Sequence, residues 1–323
     1  WRRAQNNLMV RMVNDTIKAT KPWVKFGIGP AGVAGKANTS APVYGVEKYI
    51  VNFADSLLGQ TYDNIQFIFV NDGTKDASID LLNKLIEKKY SSLRDRIVIV
   101  NKRNEGLPAA RRTGMEYVTG DYVLHVDSDD WVEKDMVEKI AAKAVETDSD
   151  VIYFDFYKEY SSRSKLDREK DYAADSKMKF IWGLFNYKAY GYVWNKCVKR
   201  SVYEKNDIRF PSYGMHEDIY LMAQLLYYAE SMVHLPHALY HYRRDNPGSI
   251  SAAKRKNRRR DSAMNMMALY ERYQNELYNS PIRDSYGEIL MRTGWLSIRY
   301  GFGIFAKYPY LAQRICELPL SFR

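Results

Sequence analysis

The chain has 323 residues, 46% hydrophobic and 27% charged, which is enough for one large α/β domain or two smaller ones and excludes a disordered protein. Its net charge is +10, and no apolar run reaches the length of about 18 residues that a transmembrane helix needs. The two cysteines, Cys197 and Cys316, exclude a disulfide framework and predict a protein of the reducing cytoplasm.

Helix and strand patterns alternate between residues 46 and 157. Helical spacing of apolar residues covers about 46–57, 79–86, 107–118 and 133–146, and strand patterns cover 65–70, 97–100, 122–126 and 151–157. Repeated strand–helix units predict an α/β domain with a mainly parallel sheet and helices on both faces. Ligands of such sheets bind outside the carboxyl ends of the strands, so we expect the site there.

The second half of the chain is less regular. Residues 158–176 predict a polar surface loop, residues 177–251 are rich in aromatic side chains, and the part beyond residue 254 predicts a helical extension. The basic run 254–260 (KRKNRRR) has two open interpretations. It is a solvated face, or it binds an anionic membrane and holds the protein peripherally on the inner face of the cell membrane. Nucleic acid comes third, and we expect no such partner.

Three carboxylates, Asp127, Asp129 and Asp130, follow the apolar strand YVLHV. Carboxylates this close repel one another unless a positive group joins them. Alternation in an extended chain places Asp127 and Asp129 on the same side, where they suit Mg²⁺ or Mn²⁺. The alternative is a helix N-cap, since acidic residues favour a helix start.

Three further acidic residues are uninformative when taken alone. Asp72 ends the strand IQFIFV and suits either a ligand contact or a plain strand-to-helix turn. Glu217 and Asp218 open an apolar-faced helix, where they are a helix cap or, in the functional interpretation, supply a general base.

Together these motifs carry a family resemblance over about residues 42–251. Seven blocks occur in the order seen in the inverting family 2 glycosyltransferases of GT-A fold: PVYGVEKYI (42–50), VNDGTKDAS (70–78), NEGLPAARRTG (104–114), GDYVLHVDSDDWV (120–132), VWNKCVKR (193–200), HEDIYL (216–221) and HYRRDNPGSIS (241–251). The resemblance implies a GT-A sheet and a metal-dependent enzyme. Such an enzyme moves a sugar, with inversion, from a nucleotide-sugar donor to a hydroxyl acceptor.

The resemblance also implies roles for individual residues. Tyr44 and Asp72 would hold the nucleobase, Arg111 would support the nucleotide, and Asp127 and Asp129 would bind Mn²⁺ or Mg²⁺ on the diphosphate. The implied residues on the acceptor side are the catalytic base Asp218, a group near the acceptor or donor sugar (Trp194, Asn195, Lys196, Glu217) and a diphosphate contact, Arg243. For Trp194, simple core packing stays open.

The implied partners are a nucleotide sugar, with a UDP-sugar favoured, and a glycan or lipid-linked acceptor. Two rival functions stay open. One is a catalytically impaired nucleotide-binding relic. The other is a nucleotidyltransferase, for which the stretch GIGPAG (27–32) is a weak imitation of a phosphate loop.

The resemblance fails at the amino-terminal end. Where the family has a β-branched first strand, residues 36–41 (KANTSA) are polar and predict a poor central strand. Residues 1–40 resemble part of the family-10-like glycoside hydrolase barrels, so we hypothesise a chimera joined near Pro42. In that case either residues 23–28 replace the first strand or its position in the sheet is empty. Tyr44 would be poorly fixed in both cases. The expected domains are a foreign segment 1–41, a GT-A domain 42–251 (nucleotide half 42–130, acceptor half 131–251) and a basic helical extension 252–323.

Overall fold

The computed structural model describes residues 36–173, 177–185, 188–212 and 216–246, together with 261, 264, 265 and 268. The strands are β1 (Ala37–Val43), β2 (Ile65–Asn71), β3 (Ile97–Asn101), β4 (Tyr122–His125), β5 (Trp131–Val132), β6 (Val151–Tyr160), β7 (Arg163–Asp167), β8 (Lys196–Lys199) and β9 (Met232–Arg243). The α-helices are α1 (Ile50–Leu58), α2 (Ser78–Lys89), α3 (Leu107–Met115), α4 (Met136–Thr147), α5 (Lys177–Phe185), α6 (Arg200–Glu204) and α7 (Glu217–Tyr228). The predicted strand at 23–28, the basic run 254–260, Cys316 and most of the helical extension lie outside the described residues.

One mixed sheet organises the described part of the chain, with strand order β3-β2-β1-β4-β8-β6-β9-β5 and β7 paired to β6. The strands β3, β2, β1 and β4 are parallel, as predicted. Beyond β4 the sheet changes direction, because β8 runs antiparallel to both β4 and β6. The prediction of a mainly parallel sheet therefore holds for one half, and the other half is mixed.

Helices cover both faces of the sheet, which confirms the layered α/β prediction. The period-2 pattern of β2 shows why, because neighbouring side chains enter opposite layers of the core. Ile68 and Val70 pack in the layer that includes residues of α3, α5 and α7. Phe67 and Phe69 pack in the layer that includes residues of α1, α2 and α4. Within the described residues no helix is long and apolar enough to cross a membrane.

The expectation that residues 36–41 cannot form a central strand is wrong. Strand β1 lies between β2 and β4, in parallel register with both, and its Asn38, Thr39 and Ser40 are buried. Since the central position is filled by this segment, the boundary placed between residues 41 and 42 divides a strand. The premise of an absent first strand, on which the impaired relic and the replacement of that strand by residues 23–28 depended, fails with it.

The side chain of Asn38 shows how a polar residue is accommodated there. Its amide donates to the carbonyl of Tyr122 at 2.7 Å and accepts from the backbone N–H of Gly120 at 2.9 Å and of Thr119 at 3.3 Å. A buried amide with its hydrogen bonds made has little desolvation cost. Two residues along β1, the Ser40 hydroxyl packs closely against α3 at Gly114, where a Cβ would lie only 2.2 Å from that hydroxyl.

The prediction of a surface loop at 158–176 is also wrong. Strand β6 continues to Tyr160 and a tight turn leads into β7, which pairs with it. Asp167, at the end of β7, and Glu169, just after it, are buried. Their carboxylates are tolerated because Asp167 forms an ion pair with Lys158, and Glu169 Oε2 accepts from the side-chain amide of Asn195 at 3.2 Å.

Candidate active site

The carboxyl ends of β1, β2 and β4 open into a cleft of about 730 Å³. Several of the predicted site residues line it: Tyr44, Asp72, Asp127, Asp129, Trp194, Glu217 and Asp218. They come from five separate segments, three of which follow the parallel strands β1, β2 and β4 at one edge of the sheet.

Arg111 joins the two sides of this cleft from beneath. Its side chain lies in α3 and is 1% exposed. Nη2 donates to Asp127 Oδ1 at 2.8 Å, and Nη1 donates to Asp218 Oδ1 at 2.6 Å and to Glu217 Oε1 at 3.2 Å. Burial lowers the pKa of Arg111, but the three carboxylates raise it above its ordinary value, so the guanidinium stays charged. Arg111 therefore contacts protein carboxylates, where the resemblance implied support of a nucleotide.

The acidic pair at the start of α7 is held in a strongly desolvated place. Burial raises the pKa of Asp218, and Arg111 partly opposes that rise. Burial raises the pKa of Glu217 well above its ordinary value, and the charge of Asp218 adds to it. A carboxylate whose pKa is raised toward neutrality is a stronger base than a solvated one, and it suits removal of a hydroxyl proton.

Asp130 fixes the turn that carries the other two aspartates. It is buried, accepts from the Tyr240 hydroxyl at 2.8 Å and accepts from the backbone N–H of Arg243 at 2.7 Å. The same Tyr240 hydroxyl accepts from the backbone N–H of Asp127 at 2.9 Å. Asp130 is thus a structural member of the cluster, and Asp127 and Asp129 are the members at the cleft.

The carboxylate oxygens of Asp127 and Asp129 are suitable ligands for a divalent cation such as Mn²⁺ or Mg²⁺. Each carboxylate uses one oxygen for protein contacts, since Asp127 Oδ1 accepts from Arg111 and Asp129 Oδ2 accepts from Asn246 at 2.8 Å. Burial raises the pKa of Asp129, and the nearby charge of Asp127 adds to it, so added positive charge would be favourable. In the described part of the chain, no three acidic, histidine or cysteine side chains converge as a complete ligand set. Two carboxylates suit a cation that keeps waters and substrate phosphates.

At the nucleotide end, Asp72 is engaged by the protein itself. It is buried, and its carboxylate accepts from the backbone N–H of Glu105 at 3.0 Å and of Gly106 at 2.8 Å and from Lys102 Nζ at 3.0 Å. These contacts fix the loop that precedes α3. Tyr44 lines the cleft directly after β1 and is 54% exposed.

The predicted acceptor-side residues divide into two groups. Trp194 lines the cleft although it is 1% exposed. Asn195 and Lys196 are buried and do not line it. Asn195 donates to Glu169 Oε2 at 3.2 Å, and Lys196 donates to the carbonyl of Tyr192 at 3.1 Å. These two residues position the segment before β8, and their predicted contact with a sugar would have to be indirect.

Arg243 lies outside the set of residues that line the cleft. Its guanidinium is 4.8 Å from the ring centroids of both Tyr49 and Trp131, and its Nε donates to the carbonyl of Asp129 at 2.8 Å. In this position it supports the aspartate turn, and a contact with a diphosphate stays a prediction.

Sequence reasoning missed several cleft residues that carry polar groups, among them Tyr192, Tyr242 and Asn246. Tyr242 and Asn246 fall inside the last sequence block, but that pattern alone does not show which side chains face the cleft. Tyr240 and Tyr242 are two residues apart on β9 and therefore lie on the same face of the strand. Tyr240 is fully buried, and Tyr242, nearer the carboxyl end of β9, is partly exposed.

Solved structures with a similar fold include S. aureus TarS 1-349 in complex with UDP-GlcNAc. Its TM-score is 0.63 at 20% identity, covering 82% of this chain and 73% of that one. Mannosyltransferase PcManGT from Pyrobaculum calidifontis, solved with GDP-Man and Mn²⁺, has a TM-score of 0.58 at 13% identity, covering 98% and 87%. At these identities the likeness shows a shared fold.

Sequence relatives are closer. Glycosyltransferase GlyA of Streptococcus pneumoniae is 34% identical over 229 residues, which is 68% of this chain and 32% of GlyA. EpsH of Bacillus subtilis (strain 168) is 31% identical over 244 residues, which is 74% of this chain and 63% of EpsH. The chain thus spans less than two thirds of either relative. The family model described as Glycosyl transferase family 2 matches residues 41–206, about half of the chain, and the chain therefore belongs to that family.

Proposed function

We propose that this chain transfers a sugar from a nucleotide-sugar donor to a hydroxyl acceptor, with inversion and with a divalent metal at Asp127 and Asp129. The observation that carries the proposal is the position of Arg111. One buried guanidinium holds Asp127 on the donor side and Asp218 on the acceptor side of a single cleft. Family membership and the nucleotide sugars bound by proteins of similar fold support a UDP-sugar or GDP-sugar donor.

The residues divide the chemistry between them. Asp218 accepts the proton of the attacking hydroxyl, which typically contributes about 10²–10⁴-fold to a rate. Arg111 keeps Asp218 in place and prevents the neighbouring carboxylates from repelling one another. A cation at Asp127 and Asp129, when bound, would neutralise the charge that develops on the departing diphosphate. Attack by the acceptor from the face opposite to this leaving group gives inversion in a single displacement.

The test is donor turnover by the purified chain with UDP-GlcNAc, UDP-glucose, UDP-galactose or GDP-mannose and Mn²⁺. Release of nucleoside diphosphate is the readout, and the anomeric configuration of the product is read by NMR. We expect Asp218→Asn to lower kcat by at least about 100-fold with nucleotide affinity retained. The matched control is Asp80→Asn in the first turn of α2, outside the cleft-lining set. Equal kcat for Asp218→Asn and the control would contradict the base assignment.

A further inference from the structure

Four aromatic rings beside the cleft form one continuous stack, which we name the ring stack: Tyr190, Tyr192, Trp194 and Tyr240. Successive ring centroids are 5.6 Å, 4.5 Å and 4.4 Å apart, and the interplanar angles are 12–13°. Because the rings lie nearly parallel, the two inner rings, Tyr192 and Trp194, have a neighbour on each face.

The two ends of the ring stack are also covered. Tyr240 is fully buried. The ring of Tyr190 has Lys158 Nζ 4.8 Å from its centroid, and the ring of Phe156 meets it edge-on at 5.0 Å. A sugar that packs on an aromatic side chain needs a free ring face. An acceptor that enters this side of the cleft therefore meets ring edges and phenol hydroxyls.

Two of these hydroxyls are available to a ligand. Tyr192 and Tyr242 both line the cleft, with ring centroids 5.4 Å apart. Among the described residues the Tyr192 hydroxyl has no hydrogen-bond partner, and the Tyr242 hydroxyl accepts from Arg244 Nη1 at 2.9 Å, which leaves its own proton free to donate. Burial raises the pKa of Tyr192, with Tyr242 and Asp218 adding to the rise, and burial also raises the pKa of Tyr242. Both phenols are therefore donors at neutral pH.

We propose that the hydroxyls of Tyr192 and Tyr242 bind and orient the hydroxyl groups of a sugar acceptor beside Asp218. This inference rests on the proposed function and assigns its acceptor class, a polyhydroxylated sugar held by hydrogen bonds instead of by stacking. With the two phenols donating, the carboxylate of Asp218 is left to accept a proton. The acceptor oxygen then bonds to the anomeric carbon of the donor, the bond from that carbon to the diphosphate oxygen breaks, and the hydroxyl proton passes to Asp218.

Tyrosine-to-phenylalanine changes separate the two modes of recognition, because they keep every ring and remove only the hydroxyl. The probe is the donor that the wild-type chain turns over, with free monosaccharides in the place of the natural acceptor and donor hydrolysis by water as the reference reaction. We expect Tyr192→Phe to lower kcat for transfer to the sugar by about tenfold, with kcat for hydrolysis and Kd for UDP within about twofold of wild type. Tyr242→Phe should act in the same direction.

The matched control is Tyr90→Phe, since that hydroxyl contacts Asp55 and lies outside the cleft-lining set. Melting temperatures of all variants check folding. A kcat for sugar transfer that is the same in Tyr192→Phe as in wild type would overturn the inference. So would a normal rate in Tyr192→Phe with a loss only in Tyr192→Ala, because that pattern shows that the ring is the contact. If the wild-type chain neither binds UDP nor releases it from a donor, the proposed function fails first and the inference with it.

Discussion

Thr39 and Ser40 are residues of the central strand β1 whose buried hydroxyls have no hydrogen-bond partner among the described residues. Thr39 also lines a small, mostly apolar cavity together with Val137 and Ile140 of α4. A buried hydroxyl without a partner costs about 1–3 kcal/mol. We expect Thr39→Val, which keeps the shape and removes the hydroxyl, to raise the free energy of unfolding by about 1 kcal/mol, measured by urea denaturation.

Asn38 is the contrasting control on the same strand, since its amide makes three hydrogen bonds. Asn38→Val removes the acceptor of the Gly120 N–H and a donor to the Tyr122 carbonyl, while the Thr119 N–H keeps Gln66 Oε1 at 3.1 Å. The change should lower the free energy of unfolding by about 2 kcal/mol or more. If Thr39→Val is as destabilising as Asn38→Val, the hydroxyl of Thr39 has a partner and the first expectation is wrong.

Glu217 should make the free energy of unfolding fall as pH rises. Its folded-state pKa is raised by burial and by Asp218, so the folded chain binds this proton more tightly than the unfolded chain does. Stability from this group is fully present below the unfolded pKa of about 4.3 and is lost as pH rises through the folded pKa. We expect Glu217→Gln to lose less stability than wild type as pH rises from about 4 to 8, measured by chemical denaturation.

Asp55 supplies a control of opposite sign. The hydrogen bond from Lys89 lowers its pKa, so its contribution is present above the unfolded pKa and is lost as pH falls through the folded pKa. Asp55→Asn should therefore reduce the loss of unfolding free energy below about pH 4. Between about pH 5 and 8 its unfolding free energy should change with pH as in wild type. A Glu217→Gln profile parallel to wild type across the whole range would contradict the assigned cause.

At the scale of elements, Asp72 connects β2 to the loop before α3. Its carboxylate accepts from the N–H groups of Glu105 and Gly106, which orient the helix that carries Arg111. Asp72→Asn replaces one acceptor oxygen with an amide donor. We expect faster hydrogen exchange at residues 105 and 106 and a free energy of unfolding lower by about 1–3 kcal/mol.

The same variant distinguishes the two roles of Asp72. If it positions the loop, loss of exchange protection and loss of UDP affinity should occur together. If it contacts the nucleobase as the family resemblance implies, UDP affinity falls while protection at residues 105 and 106 is kept. Ser56→Ala, in α1 and outside the cleft-lining set, is the control for a lost hydrogen bond elsewhere.

The elements that could be predicted from sequence are those whose periodicity comes from burial alone. The parallel strands and their helices have such patterns, and their placement is correct to within a few residues. Strand β1 could not be predicted, because its polar side chains are accommodated by contacts with a distant turn at Thr119 and Gly120. Strands β7, β8 and β9 were missed because aromatic rings and buried ion pairs replace the simple apolar alternation there.

At the scale of the molecule, the sequence predicts which carboxylates meet but not what each one contacts. Asp127 and Asp218 are 91 residues apart and share one guanidinium, although Asp127 follows strand β4 and Asp218 lies in the first turn of α7. The engagement of Asp72 by backbone N–H groups and the burial of Asn195 and Lys196 depend on loop geometry. Motif matching cannot separate such supporting residues from those that touch a ligand.

Donor binding contacts several of these separate loops and should therefore raise the free energy of unfolding of the chain by a measurable amount. A ligand that binds only the folded state raises the free energy of unfolding by about 2.7 kcal/mol at a concentration of 100 Kd. We expect UDP with Mn²⁺ to raise the melting temperature of wild type, EDTA to abolish the rise, and Asp129→Ala to reduce it strongly. Asp121→Asn, at the opposite end of β4, changes the charge equally and should keep the full rise. A rise that persists with EDTA, or in Asp129→Ala, would show that the nucleotide is held without a metal at this turn.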